Sequence, residues 1–141
     1  LPIISSFTYC EDAKQEITPQ GPKLMVLNPF ASILPAFIPG GFSFSVVIGI
    51  GGIVPTEEQL LRYIFRHEEE NSEILIDTGD VRFTMGVDES LKLVPAEYQG
   101  VALSMDFKNL VFRKKGKYIS FIYLNNQLVA EYPIMVHGRE Q

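Results

Sequence analysis

Large apolar side chains recur at every second position along much of this chain, the spacing that turns one face of a β-strand into a core. Phe42, Phe44, Val46, Ile48 and Ile50 are separated by mostly small residues. Val101, Leu103, Met105 and Phe107 alternate with Ala102, Ser104, Asp106 and Lys108, which reads as a half-buried strand. Asn109 then breaks the phase before Leu110 and Phe112, as a bulge or strand end does. Residues 117–124 and 127–137 form a predicted hairpin around Asn125-Asn126, a turn pair that tolerates positive φ. Leu128, Ala130, Tyr132, Ile134 and Val136 share one face of the return strand. Pro133 has no N–H to donate, which places that strand at an edge or the proline at an unpaired position. Residues 118–123 are apolar on both faces, so this strand is either buried on both sides or carries part of a subunit contact.

Residues 3–10, 23–27 and 73–84 are further strand candidates. Residues 60–67 are read as a strand because Leu61, Tyr63, Phe65 and His67 alternate with Arg62 and Arg66. The preceding Pro55-Thr56-Glu57-Glu58 would also suit a helix start. About eight strands with turns between them predict an all-β fold, an immunoglobulin-like β-sandwich occupying residues 1–141 as a single domain. Gly116-Lys117-Tyr118 fits that class, where a tyrosine often pins a loop.

Composition narrows the function. The 141 residues suffice for one domain with its own core. A net charge of −5 disfavours nucleic acid as a partner. The single cysteine, Cys10, cannot form an internal disulfide and reads as a small buried hydrophobe. No charged-then-apolar succession marks a secretory leader, so a soluble, cytoplasmic protein is expected. Residues 24–56 carry no charge, yet Pro29, Pro35, Pro39 and Pro55 rule out a continuous membrane-spanning helix.

Three stretches carry a family resemblance. They are Ser6-Phe7-Thr8-Tyr9-Cys10, Pro35-Ala36-Phe37-Ile38-Pro39, and Phe112-Arg113-Lys114-Lys115-Gly116-Lys117-Tyr118 with the later Leu124-Asn125-Asn126-Gln127-Leu128. With these the chain resembles a family of small bacterial and phage β-sandwich proteins of unknown function. The resemblance implies the sandwich, and a phage or prophage setting, and brings no catalytic residue or cofactor.

Candidate chemistry is sparse. Ile74-Leu75-Ile76-Asp77-Thr78-Gly79 looks like the Asp-Thr-Gly segment of retroviral-type aspartic proteases, in which two paired chains share a proton between aspartates. Asp80 in place of a small residue, and the position of Asp77 past mid-chain, weigh against it; an Asp-Thr-Gly turn is the plainer reading. Gly49-Ile50-Gly51-Gly52 lacks the third glycine and the βαβ setting of a dinucleotide loop. His67 beside Glu68, Glu69 and Glu70 converges poorly as a metal site, since neighbours on a strand point apart. Arg113-Lys114-Lys115-Gly116-Lys117 is a basic turn able to meet a phosphate or an acidic partner, or simply solvent.

The most unusual segment is residues 28–41, where Phe30, Ile33, Leu34, Phe37 and Ile38 are held out of regular structure by prolines. The segment either caps the sandwich or forms an interface. The expected function is a non-enzymatic interaction module without metal or cofactor, a homo-oligomer or the binder of another protein, associating through this loop or an edge strand. A small-ligand protein, binding a nucleotide- or carbohydrate-like molecule, is the alternative.

Overall fold

In the computed structural model, which describes residues 1–141, the alternation resolves into two sheets facing one another. The strands are β1 (Ile3–Thr18), β2 (Gly21–Pro29), β3 (Ser32–Ile33), β4 (Gly40–Gly51), β5 (Glu58–His67), β6 (Ile74–Asp77), β7 (Val81–Thr84), β8 (Gly100–Phe112), β9 (Gly116–Leu124) and β10 (Gln127–Val136). The smaller sheet runs β2-β1-β4-β8 and the larger β3-β10-β9-β5-β6, with β7 also beside β5. All pairs are antiparallel except β3 with β10. This is the expected all-β, immunoglobulin-like sandwich, built from ten strands rather than about eight.

The extra strands have local causes. Thr78-Gly79-Asp80 splits residues 73–84 into β6 and β7, with Gly79 at φ 64. Ser32–Ile33 joins the far side of β10. The 60–67 segment is strand β5, and Thr56 at φ 70 lacks the extended backbone of a helix cap. Asn125 and Asn126 take φ 51 and 69, closing the β9–β10 hairpin as a type I′ turn does. Asn109, at φ 55, accompanies the register shift between β4 and β8 and donates its N–H to Ser43 Oγ at 2.9 Å.

Residues 44, 46, 48 and 50 of β4 meet Leu61, Tyr63 and Phe65 of β5 and Tyr118, Ile122 and Leu124 of β9 in one buried core. Tyr118 donates its hydroxyl to the Lys114 carbonyl at 2.7 Å, pinning the turn before β9. Gly116 belongs to that turn because its φ is 127 and a Cβ there would lie 2.7 Å from His67 Nε2.

The core is not wholly apolar. Ser120 Oγ on β9 lies 2.6 Å from the hydroxyls of both Tyr9 on β1 and Tyr63 on β5. Tyr9 also reaches the Tyr132 carbonyl at 3.0 Å. Burial pushes both phenols upward, Tyr63 most of all. Replacing Ser120 by Ala strands the Tyr63 hydroxyl, whose unmet hydrogen bond costs about 1–3 kcal/mol. Urea unfolding of Ser120→Ala should show that loss, and the added Tyr63→Phe should recover part of it; an unchanged midpoint would remove the cluster from the stability of the fold.

Candidate functional site

β9 is sandwiched by apolar neighbours only on its inner side. Tyr118, Ser120, Ile122 and Leu124 point inward and are buried, while Ile119, Phe121 and Tyr123 alternate outward and stay partly open. The register sets Tyr123 beside Arg62, Phe121 beside Ile64 and Ile119 beside Arg66 on β5. On the other flank, Leu128, Glu131 and Pro133 of β10 pair with the same three positions. The outer face of the larger sheet therefore carries a continuous strip of aromatic and aliphatic groups edged by arginines, and no element of the chain pairs across it.

The arginines are held in place. The Arg66 guanidinium sits 4.9 Å from the Phe121 ring centre and that of Arg62 lies 6.0 Å from Tyr123, both as cation–π contacts. Arg62 grips Asp77 with two bonds, Nε to Oδ1 at 2.9 Å and Nη2 to Oδ2 at 2.7 Å. Asp77 Oδ1 also accepts the Gly79 N–H at 3.0 Å. Thr78 Oγ1 meanwhile accepts the Tyr63 N–H at 2.9 Å, fastening the turn to β5. The Arg62 pairing, followed by the Gly79 amide, holds the Asp77 carboxyl down at about 2. Asp77, the residue of the protease-like motif, is thereby paired with its own arginine and the amide of its own turn.

The loop at residues 28–41, expected either to cap the sandwich or to form an interface, is mostly packed within the chain. Ile33 is fully buried, and Phe30 and Ile38 pack against the core, with Phe30 edge-on to Phe42. Leu34 and Phe37 alone of the five remain exposed, at 43% and 53%. The cause is the C-terminal tail, which runs beside the loop: His137, Arg139 and Glu140 donate their N–H groups to the carbonyls of Ile33, Pro35 and Ala36. Gln141 completes the pairing with both backbone groups of Ile38. Of the residues Phe30, Ile33, Leu34, Phe37 and Ile38, Ile33 is thus buried, Phe30 and Ile38 are half-buried against the core, and Leu34 and Phe37 stay open.

The remaining motifs are used locally. Lys114, Arg113 and Lys117 of the basic turn face Glu69, Glu73 and Glu68, so the basic turn and the acidic loop neutralise each other. His67 accepts the Glu69 N–H at Nδ1 and turns Nε2 to the Lys115 carbonyl, leaving no ring nitrogen for a metal. No three His, Cys, Asp or Glu side chains are grouped to hold an ion. Cys10 is fully buried, and burial pushes its thiol up. Gly49 and Gly100 serve strand contact: a Cβ would lie 2.4 Å from Ser6 Oγ and 2.4 Å from the Ile50 carbonyl, respectively. Those glycines line an open cleft of about 740 Å³, shared with Ser5, Ser6 and residues 97–102. No helix is long and apolar enough to cross a membrane.

The two facing sheets define an immunoglobulin-like β-sandwich. A family model described as a family of unknown function (DUF6941) matches residues 5–137, and the chain belongs to that family. No curated protein matches it. Among solved structures it is similar to an immunoglobulin-like protein from Pseudomonas aeruginosa, at 12% identity and TM-score 0.45, with 97% of each chain covered. It is also similar to the Pseudomonas fluorescens alkylpurine DNA glycosylase AlkC bound to DNA containing an abasic site analogue, at 9% identity and TM-score 0.43. That match covers 94% of this chain but 30% of the glycosylase chain. A β-glucosidase from Listeria innocua in complex with isofagomine is similar at 12% identity and TM-score 0.44, over 86% of this chain and 18% of the enzyme.

The Asp77 pair gives a pH-dependent prediction. Its folded carboxyl lies near 2 against an ordinary 3.8, so its contribution is complete above the ordinary value and fades as pH falls through 2. Both partners are partly exposed, which keeps the contribution small. Carboxyl NMR titration should place Asp77 near 2 and return it towards the ordinary range in Arg62→Gln. A wild-type titration near 4 would show that the two bonds do not persist in solution.

Proposed function

We propose that the protein is a non-enzymatic interaction module that binds another protein through the outer face of its larger sheet. The observation that carries this reading is the strip of Ile119, Phe121 and Tyr123, flanked by Arg62, Ile64 and Arg66 with no cover from the chain itself. Aromatic residues and arginine are enriched where interfaces hold their energy, because they bury large rigid surfaces and still satisfy polar tips. The anchoring of both guanidiniums over rings fixes them before binding, which lowers the ordering cost of association. The strip runs across β10, β9 and β5, neighbouring strands about 4.8 Å apart.

The strip supports a partner with an apolar centre and a carboxylate placed to meet Arg66. The grip of Arg62 on Asp77 supports leaving an aspartic-protease role out of the proposal. Placement in a reducing, cytoplasmic setting belongs to the same proposal and is supported by a buried Cys10 that needs no partner. A photo-crosslinking residue at Tyr123 should capture a protein in extracts of the source cells. The same residue at Ser104, on the smaller sheet, should not, and Arg66→Glu should abolish capture from position 123. Equal capture from both sheets would mean that the strip has no special role.

A small-ligand reading has one observation in its favour. The glycine-lined cleft has Tyr98 at its margin, 75% exposed and free to stack on a sugar or base. A carbohydrate or nucleotide held there should raise the melting temperature, and Tyr98→Ala should cancel the rise. A screen in which no compound of either class shifts the wild-type transition would dispose of this reading.

A further inference from the structure

We infer that an acidic sugar, carrying a carboxylate beside its hydroxyls, binds in a cleft that Arg139 lines together with all four strands of the smaller sheet. This cleft shares no residue with the outer-face strip or with the glycine-lined cavity beside Tyr98. It holds about 590 Å³, inside the span of about 300–1,000 Å³ usual for small-ligand sites. Glu11 comes from β1, Asn28 from β2, Ser43 from β4 and Asn109 from β8, while Arg139 comes from the C-terminal tail. Two departures from regular strand bring them there. Asn28 and Asn109 stand at φ 51 and 55, a left-handed backbone that asparagine tolerates. Asn109 also sits where the β4–β8 register shifts between Phe42 and Phe44. A bulge of this kind re-aims a side chain, which is why bulges recur beside binding sites.

The polar groups of the cleft are held in place but keep hydrogen-bonding capacity to spare. Ser43 Oγ accepts the Asn109 N–H at 2.9 Å, so its own hydrogen stays free to donate. Arg139 is fixed through its backbone, whose N–H meets the Pro35 carbonyl at 2.7 Å. Its guanidinium makes no ion pair, not even with Glu11 in the same cleft. Asn28 spends one donor on a long bond to Glu11 Oε1, at 3.4 Å. Phe30 and Phe42, edge to face with ring centres 5.9 Å apart, supply an apolar wall. An apolar wall with a few polar groups converging on it is the usual build of a small-molecule site.

The residue types select the ligand. Arg139 is the one cation lining the cleft, and its planar fork matches the two oxygens of a carboxylate. A carboxamide both donates and accepts, as does each sugar hydroxyl, so Asn28 and Asn109 can satisfy neighbouring hydroxyls in both senses. The phenyl rings offer apolar surface to the C–H face of a sugar ring. Glu11 accepts from a further hydroxyl and repels the denser negative charge of a phosphate. A sugar carboxylate meets all four demands at once.

NMR titration with glucuronate and with trigalacturonate tests the site. Both should shift the Asn28 and Asn109 carboxamide signals and the Arg139 side chain saturably. Glucose and glucose 6-phosphate should bind about tenfold more weakly or worse, the scale of one charge-assisted hydrogen bond. Arg139→Gln should bring uronate binding down to the glucose level without disturbing amide signals elsewhere. Asn109→Gly keeps the positive φ, removes the carboxamide and should weaken both uronates. Tyr98→Ala and Phe121→Asp should change nothing, which separates this site from the other two surfaces. The absence of saturable shifts with either uronate would overturn the proposal. So would glucose or glucose 6-phosphate binding as tightly as glucuronate, or uronate affinity left untouched by Arg139→Gln.

Discussion

Ser120 is the point on which the two sheets depend. Its hydroxyl sits between Tyr9 of the smaller sheet and Tyr63 of the larger, and Tyr9 closes the circuit on the Tyr132 carbonyl. Three buried hydroxyls with mutual partners fix the lateral position of one sheet over the other, which dispersion between aliphatic side chains does only loosely. The aromatic packing follows the same centre. Phe7 stacks on Tyr132 with ring centres 4.5 Å apart, and Tyr63 stacks on Phe107 at 5.4 Å. A slide of one sheet by a single residue would strand the Tyr9 hydroxyl, while Ser120 and Tyr63, on neighbouring strands of one sheet, would keep their bond.

With the sheets so fixed, the outward faces inherit their pattern without freedom to adjust. Ser120 must point inward, so Ile119 and Phe121 must point outward, and the antiparallel register brings Arg66 and Ile64 beside them. The apolar strip on the larger sheet is thus a geometric consequence of the core, while its chemical character is set by the residues chosen for the outward positions. The smaller sheet differs: the outward positions of β4 hold Ser45 and Val47, which are buried, opposite Asp106 and Ser104 of β8.

Period-two alternation made the strands legible from the residues themselves. It located β4, β8, β9 and β10, and it favoured a strand at β5, where Leu61, Tyr63, Phe65 and His67 share one face, with a helix start at Pro55-Thr56-Glu57-Glu58 left open until the structure. The turn chemistry of Asn125-Asn126 and the looped tyrosine at 118 were equally visible, since both act over a few residues. What alternation could not show was long-range cover. The prolines and aromatics of residues 28–41 look like an exposed interface until the C-terminal tail is laid beside them, a contact across about a hundred positions. The true open surface was hinted at only by the double-faced apolarity of residues 118–123. Deciding between burial and exposure there required knowing that no other element pairs over that sheet.

The arm poses the same question at an edge rather than a face. Local pattern ended β1 at Cys10, because the following Glu11, Asp12, Lys14 and Glu16 carry no core face. Yet the strand continues to Thr18, sustained by hydrogen bonds to β2 alone. Backbone pairing without side-chain burial gives a stretch that keeps its shape but gains little from solvent exclusion. Natural sheets normally protect such an edge with charges, bulges or short length. β2 carries protection of its own, with Pro22 and Pro29 towards its ends and Lys23 between them. The arm thus holds its shape through backbone pairing while its prolines and lysine keep the free edge from serving as a bare template for another strand.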